Sequence, residues 1–193
     1  MKTFDMHKIR KQLVKALDNK RFEHTQGVAY TSAALAMRYG EDIRKAELAG
    51  LLHDCAKCLD NDKKIQICRK HGIDINEAEQ RNPFLLHAKV GGFLAKTKYK
   101  VEDDEVINAI LYHTTGRPEM SLLEKIVYIA DYIEPGRNHA TNLDEIRKLS
   151  FMDLDKALLK ILEDILVHLK MSEKEIDPMT QMTYDFYKRE LCE

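Results

Sequence analysis

Cysteine, proline and glycine are all scarce in this 193-residue chain, and its apolar runs are short. Glycine and proline number 8 and 4, too few for a disordered or collagenous chain. Ile126 to Ala130, five residues, is typical of the longest apolar stretches, whereas a membrane-spanning helix needs roughly 20. Neither sign of charge is in excess: 31 Lys plus Arg face 32 Asp plus Glu, for a formal charge of −1. That balance excludes a general nucleic-acid coat and a polybasic membrane binder. Residues 1–18 alternate charged and apolar types without a signal peptide's hydrophobic stretch, so no leader is expected. The 4 cysteines, at 55, 58, 68 and 192, are not the dense set of a small secreted scaffold. Free thiols in a cytoplasmic protein are therefore expected. Cys55-Ala56-Lys57-Cys58 has C-x-x-C spacing, but the redox motif wants a βαβ context and a zinc ribbon wants a second pair; neither is present.

What the chain does have is helical periodicity and 8 histidines. Ile9, Leu13, Val14 and Leu17 read as one face of a first helix. Val28, Ala29, Ser32, Ala33, Leu35 and Ala36 make a small-residue stripe on a second, which ends near Tyr39-Gly40. Asp42 can cap a third, with Ile43, Ala46, Leu48, Ala49, Leu51 and Leu52 inward. Asp62 to His71 reads as a fourth, stopped by Gly72, and Leu85 to Lys96 and Asp104 to His113 follow. Ser121-Leu122-Leu123-Glu124 is a capping-box start to a helix running to about Asp131. Ser150 with Asp153 is expected to cap a long amphipathic helix through Leu169, and Asp177-Pro178 opens a last one toward Lys188. Segments 54–61, 72–84, 114–120 and 132–142 are expected to be loops. With no confident strand, the expectation is an all-α single domain over residues 1–193. Its core would span about 20–140, with C-terminal helices at 150–190 packing on it.

The strongest chemical signal is His53-Asp54, placed where the third helix should end. Neighbours on a continuous helix point about 100° apart, but at a fraying end both side chains can turn toward one ion. Imidazole plus carboxylate suits Fe, Mn, Zn or Co better than Ca. Alone, such a dipeptide is more often a surface or capping pair. Here it has company: His24 opens the second helix, His87 and His113 sit on later ones, and Asp131 closes an apolar helical run. Asp is seldom buried unless paired or coordinated, so several such groups converging in a bundle interior point to a metal site. His7, His71, His139 and His168 lack this pattern and read as ordinary surface or core histidines.

The order His24 … His53-Asp54 … Asp131 resembles the four-ligand signature of the HD-domain metal-dependent phosphohydrolases. More closely, Leu86-His87-Ala88-Lys89-Val90-Gly91, His113-Thr114-Thr115-Gly116 and Asp131-Tyr132-Ile133-Glu134-Pro135-Gly136-Arg137 resemble the bacterial YqeK-type family of symmetrical bis(5′-nucleosyl)-tetraphosphatases. The resemblance runs from about residue 8 to 188. It implies an HD-domain helical bundle that cleaves diadenosine tetraphosphate to two ADP through a hydroxide held by a divalent transition metal. Iron is the expected ion, with Mn, Co or Zn as alternatives. His24, His53, Asp54 and Asp131 would hold it, and His87 and His113 would complete a second metal or contact phosphate. Asp54, Lys57, His87 and His113 would form the catalytic set. Lys57 and Arg137 would meet phosphate charge, Thr114 would donate a hydroxyl, and Ile176 to Thr183, with Pro178, Thr180 and Gln181, would line the nucleoside pocket. Two readings compete: another HD-type nucleotide phosphohydrolase or phosphodiesterase, and a non-catalytic nucleotide-binding module. The expected partner is a small-molecule dinucleoside polyphosphate, with no nucleic acid and no membrane; a homodimer is left open.

Overall fold

A computed structural model describes residues 4–138, 140–172 and 176–192, and among them the helical periodicity becomes eleven α-helices and one 3-10 turn, with no strand. Helix α1 (Met6–Ala16) starts where the Asp5 carboxylate accepts the Lys8 N–H, and it buries Ile9 and Leu13. Val14, expected on that face, is 54% exposed: one residue past Leu13, it is turned about 100° outward. Helix α2 (Asn19–Tyr39) is capped by Asp18 and ends at Gly40, whose φ of +79° is the left-handed conformation that glycine adopts without steric cost. Helix α3 (Ile43–Leu52) starts at Asp42, which accepts the N–H groups of Arg44 and Lys45.

The small-residue stripe of α2 exists so that α3 can come close. A Cβ on Gly50 would sit 2.8 Å from Ser32 Oγ and 2.9 Å from Ala29 Cα. Helix α4 (Asn61–His71) ends at Gly72. The following segment, expected as loop, holds α5 (Glu77–Arg81), opened by an Asn76–Glu79 capping box, and a 3-10 turn at Pro83–Leu86. Helix α6 (His87–Thr97) starts directly from that turn, α7 (Asp104–Leu111) is capped by Asp103, and α8 (Leu122–Ile133) has the expected Ser121–Glu124 box.

One helix lies where none was expected to begin: α9 (Leu143–Ser150). It makes Ser150 a helix end rather than a cap, with the hydroxyl donating back to Ile146 O at 2.7 Å. Asp153 alone caps α10 (Leu154–Met171), through the Lys156 N–H. Helix α11 (Pro178–Cys192) opens with the Asp177 carboxylate accepting the Met179 N–H.

The main core runs from Ile9 to Tyr187, with α3, α7 and α8 at its centre, and a satellite of Ala56, Cys68, Leu86 and Val90 sits beneath α4 and α6. Cys55, Cys58 and Cys68 are free thiols. No described helix is long and apolar enough to cross a membrane. His139 and the Cys192 side chain lie outside the described residues.

Candidate metal centre

Several helix ends meet at one place. His53 is the residue at which α3 stops, Asp54 lies in the turn after it, and His87 begins α6. His113 lies two residues past α7, while Asp131 and His24 come from the last turns of α8 and the first turns of α2. His53, His87 and His113 each hold Nδ1 at 2.7 Å from the carbonyl oxygen three residues back, those of Gly50, Phe84 and Ile110. A carbonyl only accepts, so Nδ1 carries a proton and Nε2 is the atom left to face the site. The Nε2 atoms converge on one space: His87 Nε2 and His113 Nε2 are 3.2 Å apart, and both lie 3.4 Å from Asp54 Oδ1.

His24 is held differently. Its Nδ1 lies 3.0 Å from Oε1 of Glu134, and its Nε2 lies 3.0 Å from Asp131 Oδ1. Glu134 is buried, with its other oxygen taking the Gly136 N–H at 2.6 Å. Gly27 makes room for it, since a Cβ there would fall 2.4 Å from Glu134 Oε2. This is a carboxylate–histidine pair of the kind that fixes a ligand's ring and tautomer.

The donors form two overlapping sets sharing His53. His24, His53 and Asp131 offer ligand atoms all within 4.8 Å of one another, and so do His53, Asp54 and His113. Inside them, His53 Nε2 and Asp54 Oδ1 are buried without a hydrogen-bond partner. Leaving such groups unsatisfied costs about 1–3 kcal/mol each, and more for a charge; a cation bound between them removes that penalty. Imidazole and carboxylate together are the donor set of a divalent transition metal. The residues fit such an ion.

Cations already crowd the carboxylates. Arg21 Nη1 lies 2.8 Å from Asp54 Oδ2, Lys57 Nζ lies 3.5 Å from Asp54 Oδ1, and Arg137 Nη2 lies 2.6 Å from Asp131 Oδ1. Burial alone would raise the Asp54 carboxyl, but His53, His113 and Lys57 outweigh it and hold it well below the usual range. Asp131 is likewise pushed up by burial and pulled further down by His24, His53 and Arg137. Burial and the Lys57 ammonium push His87 well below its ordinary value, so its ring is neutral at pH 7. Lys57, with only 16% of its side chain exposed, donates to His87 Nε2 at 2.9 Å, and burial lowers its own pKa against the pull of Asp54. Thr114 Oγ1 is 3.1 Å from both His87 Nε2 and His113 Nε2.

A cavity of about 720 Å³ opens beside this cluster. Lys57, His113, Thr114, Asp131 and Arg137 form its inner wall, and Tyr128, Tyr132, Asn142, Asp164 and His168 lie beyond. Thus the structure brings together His24, His53, Asp54, Lys57, His87, His113, Thr114, Asp131 and Arg137. The remaining expected residues, Ile176, Pro178, Thr180 and Gln181, do not line this cavity. Thr180 is buried, Ile176 half-buried and Pro178 exposed at the start of α11, and Gln181 donates to Asp185 on its own helix. Thr183, from the same segment, packs its methyl against Gly116, two residues past Thr114. Asp177 is tied to Asn76 at 2.9 Å.

Sequence reasoning missed Glu134, Arg21 and the cavity position of His168. Arg137 takes Asp131 as its partner, which leaves Glu134 to His24. The helical spacing offered one clue: Glu134 lies three residues past Asp131, at the same helix end.

Helix ends that converge four imidazoles and two carboxylates on one cation site define a metal-centred helical hydrolase domain, and the HD-domain family model matches residues 21–136. The chain is 40% identical over 170 residues to the symmetrical bis(5′-nucleosyl)-tetraphosphatase of Bacillus subtilis, covering 88% of this chain and 90% of that protein. It is 39% identical over 175 residues to the protein of the same name from Halalkalibacterium halodurans, at 90% and 92% coverage. A crystal structure from Clostridium acetobutylicum, described as a "predicted HD superfamily hydrolase involved in NAD metabolism", superposes with a TM-score of 0.93 at 42% identity, over 97% of this chain and 99% of that one. The chain belongs to the HD-domain family, in the branch of the symmetrical bis(5′-nucleosyl)-tetraphosphatases.

Proposed function

We propose that this protein hydrolyses diadenosine tetraphosphate, and similar dinucleoside polyphosphates, symmetrically to two ADP. The observation that carries the reading is the pair of donor sets sharing His53, with two unpartnered buried donor atoms between them. His24, His53, Asp54 and Asp131 would hold a divalent transition metal, iron by preference and Mn, Co or Zn as alternatives, with His87 and His113 available to a second ion or to phosphate. When bound, such an ion lowers the pKa of water toward 7 and screens phosphoryl oxygens.

The protein's own groups do the rest. Contacts of 2.9 to 3.2 Å link Lys57, His113 and Thr114 to His87 Nε2, a cradle for the oxygens of the attacked phosphorus. Water attacks the second phosphorus from one nucleoside; the new P–O bond forms as the bond from that phosphorus to the central bridging oxygen breaks. The water oxygen stays with one ADP, the bridging oxygen leaves with the other, and the released protons pass to solvent. Lys57 sits where the leaving diphosphate gains charge, so its ammonium is worth more in the transition state than in the ground state. Arg137, anchored on Asp131 through both that residue's side chain and its backbone carbonyl, presents its guanidinium to phosphate from the inner wall of the cavity. One nucleoside occupies that cavity, with the 176–183 segment supporting the Thr114 loop from behind. The chemistry is that of a cytoplasmic enzyme acting on a small molecule, consistent with free thiols and balanced charge.

Product analysis tests this directly. Metal-loaded protein given diadenosine tetraphosphate should release ADP alone; AMP and ATP in equal amounts would mean attack at a different phosphorus and overturn the symmetrical reading.

A further inference from the structure

A tetraphosphate with two nucleosides needs two places to lie, and the cavity beside Arg137 provides one. On another side of the cluster, outside the lining of that cavity, stands Phe84, a large aromatic left 46% exposed. Its carbonyl anchors His87, and its ring centroid is 5.4 Å from the His87 ring. Lys57 Nζ lies 4.5 Å from the Phe84 ring centroid, and Lys64 Nζ lies 5.2 Å from it. Lys64 is only 1% exposed, yet among the described residues no carboxylate pairs with it and no acceptor bonds its ammonium.

Two ammonium groups crowded against one ring repel each other, and an anion that joins them relieves the repulsion. The anion must be one that reaches Lys57 from the reacting phosphorus, because Lys57 belongs to both places.

We propose that Phe84, Lys64 and Lys57 form the subsite for the departing ADP half of the substrate, with its phosphates on the two ammonium groups and its base stacked on the open face of Phe84. This rests on the proposed activity and adds to it the location of the second half. An aromatic face stacks on any base, so the subsite takes a nucleoside diphosphate of either purine type.

The test compares diadenosine tetraphosphate with adenosine 5′-tetraphosphate, which carries the four phosphates but lacks the second nucleoside. Phe84→Leu should lower kcat/KM for the dinucleotide about tenfold more than for the mononucleotide, so that the second nucleoside no longer improves the substrate. Lys64→Met should lower both substrates together, chiefly through KM. If both variants melt like the parent and keep its kcat/KM for the dinucleotide, the subsite is wrong while ADP production by the parent keeps the activity itself standing. If the parent releases no ADP, the activity reading fails first. Should either variant fail to fold, photolabelling the unaltered protein with an 8-azidoadenosine dinucleoside tetraphosphate settles the matter. Label in the peptide containing Phe84 supports the subsite, and label confined to residues 128–171 overturns it.

Discussion

Glu134 does for His24 what a backbone carbonyl does for the other three rings. Both of its oxygens are engaged, one by His24 Nδ1 and one by the Gly136 N–H. In Glu134→Gln one of those positions becomes an amide N–H₂, which faces a donor instead of an acceptor. Metal affinity should fall about 10- to 100-fold, the usual effect of altering such a supporting carboxylate. Competition against a chelator measures it, with circular dichroism confirming an unchanged fold; undiminished affinity would show that His24 needs no such orienter. His53→Ala and Asp54→Ala should abolish bound metal on elemental analysis and turnover with it, because His53 is shared by both donor sets and Asp54 is the carboxylate of the second. At this scale the sequence was informative where residue type is itself chemistry: His24, His53, Asp54, His87, His113 and Asp131 stand out as polar, metal-capable groups beside apolar faces. Arg21 and Glu134 are ordinary surface types, and only the three-dimensional partner 33 residues on from Arg21, or 110 residues back from Glu134, reveals their work.

Among the elements, α2 and α3 carry the closest approach. Gly50 serves twice, letting α3 touch Ser32 and Ala29 and offering its carbonyl to His53. Gly50→Ala overpacks that contact and should lower stability by about 1–3 kcal/mol, read from the urea midpoint, with a further loss of metal affinity as His53 shifts. The helix boundaries were legible where a cap and an apolar period agreed, as at Asp42 and Ser121. Helices α5 and α9 were not, for a physical reason. With five residues α5 is too short for a 3.6-residue period to repeat, and α9 has no side-chain cap, so the burial of Leu143 and Ile146 holds it rather than any local signal.

For the whole molecule, the metal-free centre makes stability depend on pH. Burial and the Lys57 ammonium hold the folded His87 ring well below the ordinary histidine value of 6.5. As pH falls below about 6.5 the unfolded chain therefore takes up a proton before the folded one does, and stability is lost. Asp54 and Asp131 are depressed below 3.8; their contribution is intact above that pH and disappears beneath it. The urea midpoint of metal-free protein should thus decline from pH 7 to pH 5 and collapse below about 4. His87→Gln should flatten the upper part of that decline. A midpoint that stays level from pH 7 to pH 5 in the parent would refute the assignment of a buried neutral ring.

Because His53, His87 and His113 are each tethered to a backbone oxygen one turn earlier in their own segment, their aim is settled as soon as the helices close, before any ion arrives. The entropy of orienting three sockets is spent during folding, not during loading. Uptake should accordingly resemble a plug entering a wall fitting: quick, with loaded and empty forms nearly superimposable, and with the ion's affinity free of any charge for rearranging its hosts.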